Sequence, residues 1–216
     1  MARHLLLTRP GHDYATRYLS VWAKRFFELA NDKGYSIIDL CDKRANRKEV
    51  ESIFYKRNPC LAVFNGHGSD DSITGYENEL LLKAGINSSL LKGKITYAIA
   101  CRSARVLGKE AGQYSDTAYI GYQEDFILIY LEKYRTRPAE DKLAALFLDP
   151  SNVVVTTLLK GHSAKESVSR AQQESLRNIQ KLLTSEVKTD ESSPLPYLVW
   201  NMKNLVLCGK NDKYAL

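Results

Sequence analysis

Cys60-Leu61-Ala62-Val63-Phe64-Asn65-Gly66-His67-Gly68-Ser69 runs from an unbroken apolar stretch straight into a loop with a glycine on each side of a histidine. Pro59 breaks the chain just before it. A short apolar run with no polar alternation reads as a strand buried on both faces, as in a parallel sheet with helices on either side. Ile95-Thr96-Tyr97-Ala98-Ile99-Ala100 is a second run of the same kind, and it leads directly into Cys101.

Outward from these two runs the pattern repeats. Leu5 to Thr8 reads as a first strand ended by Arg9-Pro10-Gly11. Asp13 is placed to cap a helix from about Tyr14 to Asn31, with Tyr14, Tyr18, Val21, Trp22, Phe26 and Leu29 on one face and Asp32-Lys33-Gly34 as its stop. Tyr35 to Leu40 is the second strand, followed by a polar helix from about Asn46 to Lys56. Thr74 to Leu82 reads as a small hairpin, and Ala118 to Tyr122 as a further strand. The segment after Cys101 reads as the start of a helix. Beyond it, Asp141–Phe147 and Ser151–Leu159 read as two short helices and Ser163–Leu183 as a longer one. Thr184–Pro196 reads as a polar loop, and Tyr197–Trp200 and Leu205–Cys208 as late strands. Alternating strands and helices predict an α/β fold: one domain over residues 1–216, three layers, a mostly parallel central sheet and helices on both faces.

Composition narrows the function classes. Of 216 residues, 44% are hydrophobic, enough for a substantial core, and 26% are charged. No uninterrupted apolar run reaches the roughly 18–20 residues that span a bilayer, and the start of the chain is too short an apolar stretch for an export signal. A cytoplasmic protein without membrane partners is the expectation. The net charge of +6 is spread along the chain with no aromatic-basic cluster, so direct nucleic-acid binding is not expected. The four cysteines, at 41, 60, 101 and 208, include no Cys-x-x-Cys pair. No metal site, no cofactor and four free thiols are expected, with Cys41, Cys60 and Cys208 as small buried hydrophobes.

The chemistry falls on His67 and Cys101. Ligand sites in open α/β sheets form outside the carboxyl ends of strands, and both residues sit at such ends. Neighbouring parallel strands would bring them together across 34 residues of sequence. A cysteine in the first turn of a helix would gain thiolate character from the helix terminus, and a nearby imidazole would take its proton. Gly66 and Gly68 leave room beside His67, and the backbone N–H groups of Gly68 and Cys101 are candidate oxyanion donors. Asp70, Asp71, Glu124 and Asp125 lie at the same edge of the sheet and are candidate substrate-binding acids. His12, in the first turn near this edge, is the one rival base. Trp22 and Trp200 read as core residues.

Ile99-Ala100-Cys101-Arg102-Ser103 resembles the caspase pattern Q-A-C-[RQG]-G. Val63 to Ser69 resembles the strand and His-Gly loop of the same clan, with the histidine ahead of the cysteine as in those enzymes. Asn204 to Lys210 resembles the closing strand of gingipains and CHAT domains, although Gly209-Lys210-Asn211 stands where those usually read Gly-Asp-Pro. The chain as a whole looks closest to CHAT-type proteins. The resemblance implies a caspase-haemoglobinase fold and cysteine endopeptidase activity, with Cys101 as nucleophile, His67 as base, Gly68 as oxyanion donor and no metal. Ile99 and Ser103 replace the Gln and Gly of the pattern, and the loss of the Gln at position 99 disfavours cleavage after Asp. The acids near Cys101 favour cleavage after Arg or Lys, with small or apolar residues as runner-up. The expected partners are a protein substrate in prokaryotic signalling or defence and a regulatory protein. The alternatives are an inactive caspase-like scaffold that binds a partner, and a flavodoxin-like binder whose 65–68 loop holds a phosphate.

Overall fold

The computed structural model describes residues 3–184 and 193–215. Six strands form one sheet: β1 (Arg3–Arg9), β2 (Tyr35–Cys41), β3 (Leu61–Asn65), then β4 (Ile95–Ile99), β5 (Ala118–Tyr122) and β6 (Leu205–Gly209). Their spatial order is β2-β1-β3-β4-β5-β6; all pairs are parallel except β5 with β6. A separate hairpin, Ser72–Thr74 with Leu80–Lys83, projects from the loop after β3.

Side chains alternate across this sheet and feed two cores. Leu5 and Leu7 of β1, Leu61 and Val63 of β3, Tyr97 of β4 and Ile120 of β5 enter one. Leu6, Ala62, Phe64, Ala98 and Tyr119 enter the other. Each of these is at most 1% exposed, which is why the strand runs lack polar alternation. On the first face lie α1 (Tyr14–Ala23), α2 (Phe27–Asp32), α5 (Lys142–Leu159) and α6 (Ala164–Thr184); on the second lie α3 (Arg47–Arg57), α4 (Leu107–Gln113) and the hairpin. This is the three-layer arrangement the sequence predicts.

Four details differ from the sequence reading. The first helix is interrupted by a 3₁₀ turn at Lys24–Phe26. The two short helices expected around Pro150 are one continuous helix, α5. Pro150 has no N–H for the Leu146 carbonyl four residues back, and Asn178 of α6 supplies the missing donor at 3.1 Å. Joined in this way, α5 is long and apolar enough to cross a membrane by length and composition, but more than half of it is buried within the protein. Tyr197–Trp200 is not a strand: it lies in α7 (Leu195–Asn204), which buries Leu198 and Asn201 while Tyr197 and Trp200 each remain 43% exposed. Trp200 is therefore not a core residue. The expected loop at 184–196 falls mostly outside the described residues.

Asp141 starts α5 and joins it to the sheet's first helix layer. Its carboxylate accepts from the amides of Leu143, Ala144 and Leu131 and from the Tyr18 hydroxyl, at 2.8–3.1 Å. Asp141→Ala would strip the cap and leave buried donors unpaired, so we expect a loss of about 3 kcal/mol in urea unfolding. For a chain of this size that corresponds to a Tm fall of about 6–12 °C.

Candidate active site

Three loops leave the carboxyl ends of adjacent parallel strands and meet in one place. β1 lies between β2 and β3, so the chain crosses over in opposite directions on its two sides. Such a switch point opens a crevice at the carboxyl edge. His12 and Asp13 follow β1, His67 follows β3 and Cys101 follows β4. The register pairs Asn65 with Ile99, which brings the ends of β3 and β4 level. A small cleft results, lined by Ala15, Thr16, Leu19, Gly66, His67, Ile99, Ala100, Cys101, Phe126 and Leu128. His67 and Cys101 thus face one cavity, as the sequence predicts.

Asp13 is the residue the sequence reading missed, because its role as helix cap explained it fully. Its Oδ1 does cap α1, accepting from the Thr16 amide at 2.8 Å. Its Oδ2 lies 2.5 Å from His67 Nε2. Burial alone would push the Asp13 carboxyl up, but the hydrogen bonds from His67 and Thr16 together hold it below the usual carboxylate range. An ionised Asp13 accepts the Nε2–H of His67, which leaves the lone pair on Nδ1 for a proton from the cleft.

Cys101 is not in the first turn of a helix. Residues 101–106 are turns, Arg102 has a left-handed φ of 55°, and α4 begins only at Leu107. The amides that open α4 are occupied, since Val106 N and Leu107 N donate to the Asp70 carbonyl. Nor does the helix dipole lower the thiol's pKa. Burial pushes the Cys101 thiol up and Asp125 adds to the shift; a backbone hydrogen bond of Phe126 and the charge of Arg102 oppose it.

Gly68 is required by close packing. A Cβ there would stand 2.7 Å from the Cys101 carbonyl oxygen and 2.9 Å from Ala100 Cβ. The hairpin bonds beside it are made by the Ser69 and Thr74 amides, so the Gly68 amide stays outside the ladder. It is thus held against the backbone of Cys101, where the sequence reading places an oxyanion donor.

The four acids are not equivalent. Asp71 pairs with Lys83 of the hairpin and accepts from Ser69. Asp70 lies 3.5 Å from Arg102 and 3.6 Å from Arg105, Glu124 pairs with Arg105, and Asp125 lies 3.1 Å from Arg102. Asp70, Glu124 and Asp125 therefore share two arginines. Asp125, 56% exposed, is the most open of the three. The following segment is fixed from α7. The Asn201 side chain bonds both the N–H and C=O of Ile127, and Trp200 Nε1 donates to the Asp125 carbonyl. That clamp holds Phe126 and Leu128 at the cleft.

Comparison with known proteins places the fold. No family model and no curated protein matches the sequence. Among solved structures, the Arg-specific cysteine proteinase gingipain R aligns over 99% of this chain and 47% of its own, with a TM-score of 0.59 and 14% identity. The complex of the pro- and mature domains of Porphyromonas gingivalis RgpB aligns over 99% and 48%, with a TM-score of 0.58 and 11% identity. The chain spans about half the length of these structures. At such identity the likeness establishes the fold, a caspase-haemoglobinase-like three-layer sandwich, which is a fold used by cysteine peptidases.

A half-buried thiol beside Asp125 fixes the expected pH behaviour. Because the Cys101 pKa is raised, the attacking thiolate becomes abundant only above the usual thiol range. Alkylation of Cys101 by iodoacetamide, followed by intact mass with the other three cysteines changed to Ser, should keep rising at pH values where a free thiol has levelled off. A plateau below the usual thiol pKa would contradict this environment.

Proposed function

We propose that the protein is a cysteine endopeptidase in which Cys101 attacks the peptide carbonyl, His67 is the general base and Asp13 orients it. The observation that carries this reading is the chain of contacts from Asp13 to His67 to the cleft that also exposes Cys101. Since the thiol is held protonated at rest, His67 Nδ1 takes the proton from Sγ as it attacks, and Asp13 stabilises the imidazolium that forms. The amides of Gly68 and Cys101 are the donors proposed for the oxyanion. His67 then protonates the leaving amine, and water releases the acyl group. The work falls to side chains and backbone amides alone.

For the residue before the cleaved bond we propose Arg or Lys. Its aliphatic stem would lie on Ile99, Phe126 and Leu128, and its charge would meet Asp125, the most exposed of the acids that share the two arginines. The apolar lining itself supports the second choice, an aliphatic residue. A role in prokaryotic signalling or defence, as for CHAT-type proteins, is the proposed setting, with a protein substrate and a protein regulator as partners.

The second reading is an inactive scaffold. Its support is that Cys101 Sγ lies 4.0 Å from the Phe126 carbonyl and is held as a thiol, a resting state that a non-catalytic cysteine would share.

Kinetics separate the two. Cys101→Ala should abolish peptide hydrolysis while leaving the circular dichroism spectrum unchanged. His67→Ala should lower kcat by about 10²–10⁴-fold, the usual scale for a general base. Asp13→Asn should lower kcat with little change in KM. Full activity in Cys101→Ala would overturn the assignment. Among fluorogenic peptides differing only at the residue before the bond, Arg or Lys should be cut fastest, and Asp125→Asn should erase that preference. Cleavage only after Asp would refute the pocket proposed here.

A further inference from the structure

Next to the proposed base stands a histidine for which the mechanism has no use. His12 is only 12% exposed at its side chain. Both its ring nitrogens are shielded from solvent and neither makes a hydrogen bond. Burying a polar ring without partners costs free energy, and such a group asks for an explanation. Its orientation is set by edge-on contacts with Tyr76 and His67, with ring centroids 5.6 and 5.9 Å apart. What it faces is Asp13: His12 Nε2 is 3.4 Å from Asp13 Oδ2, the same oxygen that holds His67.

These three side chains offer two imidazole nitrogens and a carboxylate oxygen, all within 4.8 Å of one another. Tetrahedral zinc with bonds of about 2.0–2.2 Å separates its ligand atoms by about 3.3 Å. The His12–Asp13 separation already has that value. The Asp13–His67 separation must grow by about 0.8 Å, which follows if the proton between them leaves and the cation takes its place. Two nitrogen donors argue against Ca2+ and Mg2+, which take oxygen. Three protein ligands, rather than the four of a structural zinc, leave one position for water at the cleft.

We propose that His12, Asp13 and His67 form an inhibitory Zn2+ site. Zinc bound there occupies Nε2 of His67, breaks its hydrogen bond to Asp13 and neutralises the carboxylate. With Nε2 on zinc, the neutral imidazole carries its proton on Nδ1 and has no lone pair left for the proton of Cys101. The ligand set is independent of the peptidase reading; only the inhibition rests on it. His12 is needed for zinc and not for hydrolysis, so the two properties separate by one substitution.

The test is calorimetric titration of the full chain with ZnCl2, with Co2+ visible absorption as a second probe of tetrahedral ligation. One ion per chain is expected. His12→Ala and the more conservative His12→Gln, both checked for folding by circular dichroism, should weaken binding by more than about tenfold, the scale on which even supporting residues of metal sites act. Cys101→Ala should bind as the parent does. In peptide hydrolysis, zinc should inhibit the parent reversibly to EDTA, while both His12 variants should keep parental activity in its absence and lose most of the sensitivity. Zinc binding with no hydrolysis in any form would leave the site standing and sink the peptidase. Hydrolysis without zinc binding would overturn the site alone. Unchanged binding in the His12 variants with loss in Cys101→Ala would also overturn it, by showing that the ion sits between thiol and base.

Discussion

The parallel pairing of β3 with β4, from Leu61 opposite Ile95 to Asn65 opposite Ile99, sets where His67 and Cys101 end up. They meet because the strands beneath them end at the same level and the next residues pack backbone to backbone, Gly68 on Ala100 and Cys101. A slip of one residue would invert the side chains of a strand between two cores that are both filled, so the register is strongly held. The positions of His67 and Cys101 thus inherit the rigidity of the sheet centre.

One carboxylate then serves two ends. Asp13 caps α1 through one oxygen and holds His67 through the other. The helix start and the His67 imidazole are consequently a single mechanical unit, and the cap fixes the imidazole through a side chain with little freedom left. On the other side of the cleft the environment opposes ionisation of the thiol, since burial and Asp125 outweigh Arg102 and the Phe126 bond. For the peptidase proposed, this favours proton transfer concerted with attack, in contrast to a standing thiolate–imidazolium pair. In the peptidase proposed, such a resting state would slow oxidation of the cysteine and make hydrolysis depend on how well a substrate seats.

Most of the fold was legible from the strand runs, because residues buried on both faces leave a continuous apolar signature that few other elements share. The late elements were less so. Tyr197–Trp200 is apolar enough to pass for a strand, and only the spacing of Leu198 and Asn201 on a helix face explains its burial. Pro150 suggested a helix break because its rescue, Asn178, lies on another helix. At the site, His67 and Cys101 could be read from their places after strands. Asp13 could not: a helix cap already accounted for it, and its partner is 54 residues away. The thiol's environment was misjudged for a local reason, the left-handed Arg102 that delays α4 to Leu107. The acids after β3 and β5 were placed at the right edge, but their neutralisation by Arg102 and Arg105 depends on where two long side chains go. The absence of Cys-x-x-Cys spacing hid a possible metal-ligand set that comes from two loops and contains no cysteine.

The central claim is that Cys101 is a nucleophile served by His67. It is tested most directly by a peptide carrying an electrophilic ketone in place of the scissile bond, with the adduct read by intact mass and site mapping. One label per chain, on Cys101, formed far faster than on Cys41, Cys60 or Cys208 and strongly slowed in His67→Ala, is the predicted result. Labelling spread over the four cysteines according to exposure, at a rate indifferent to His67, would contradict it.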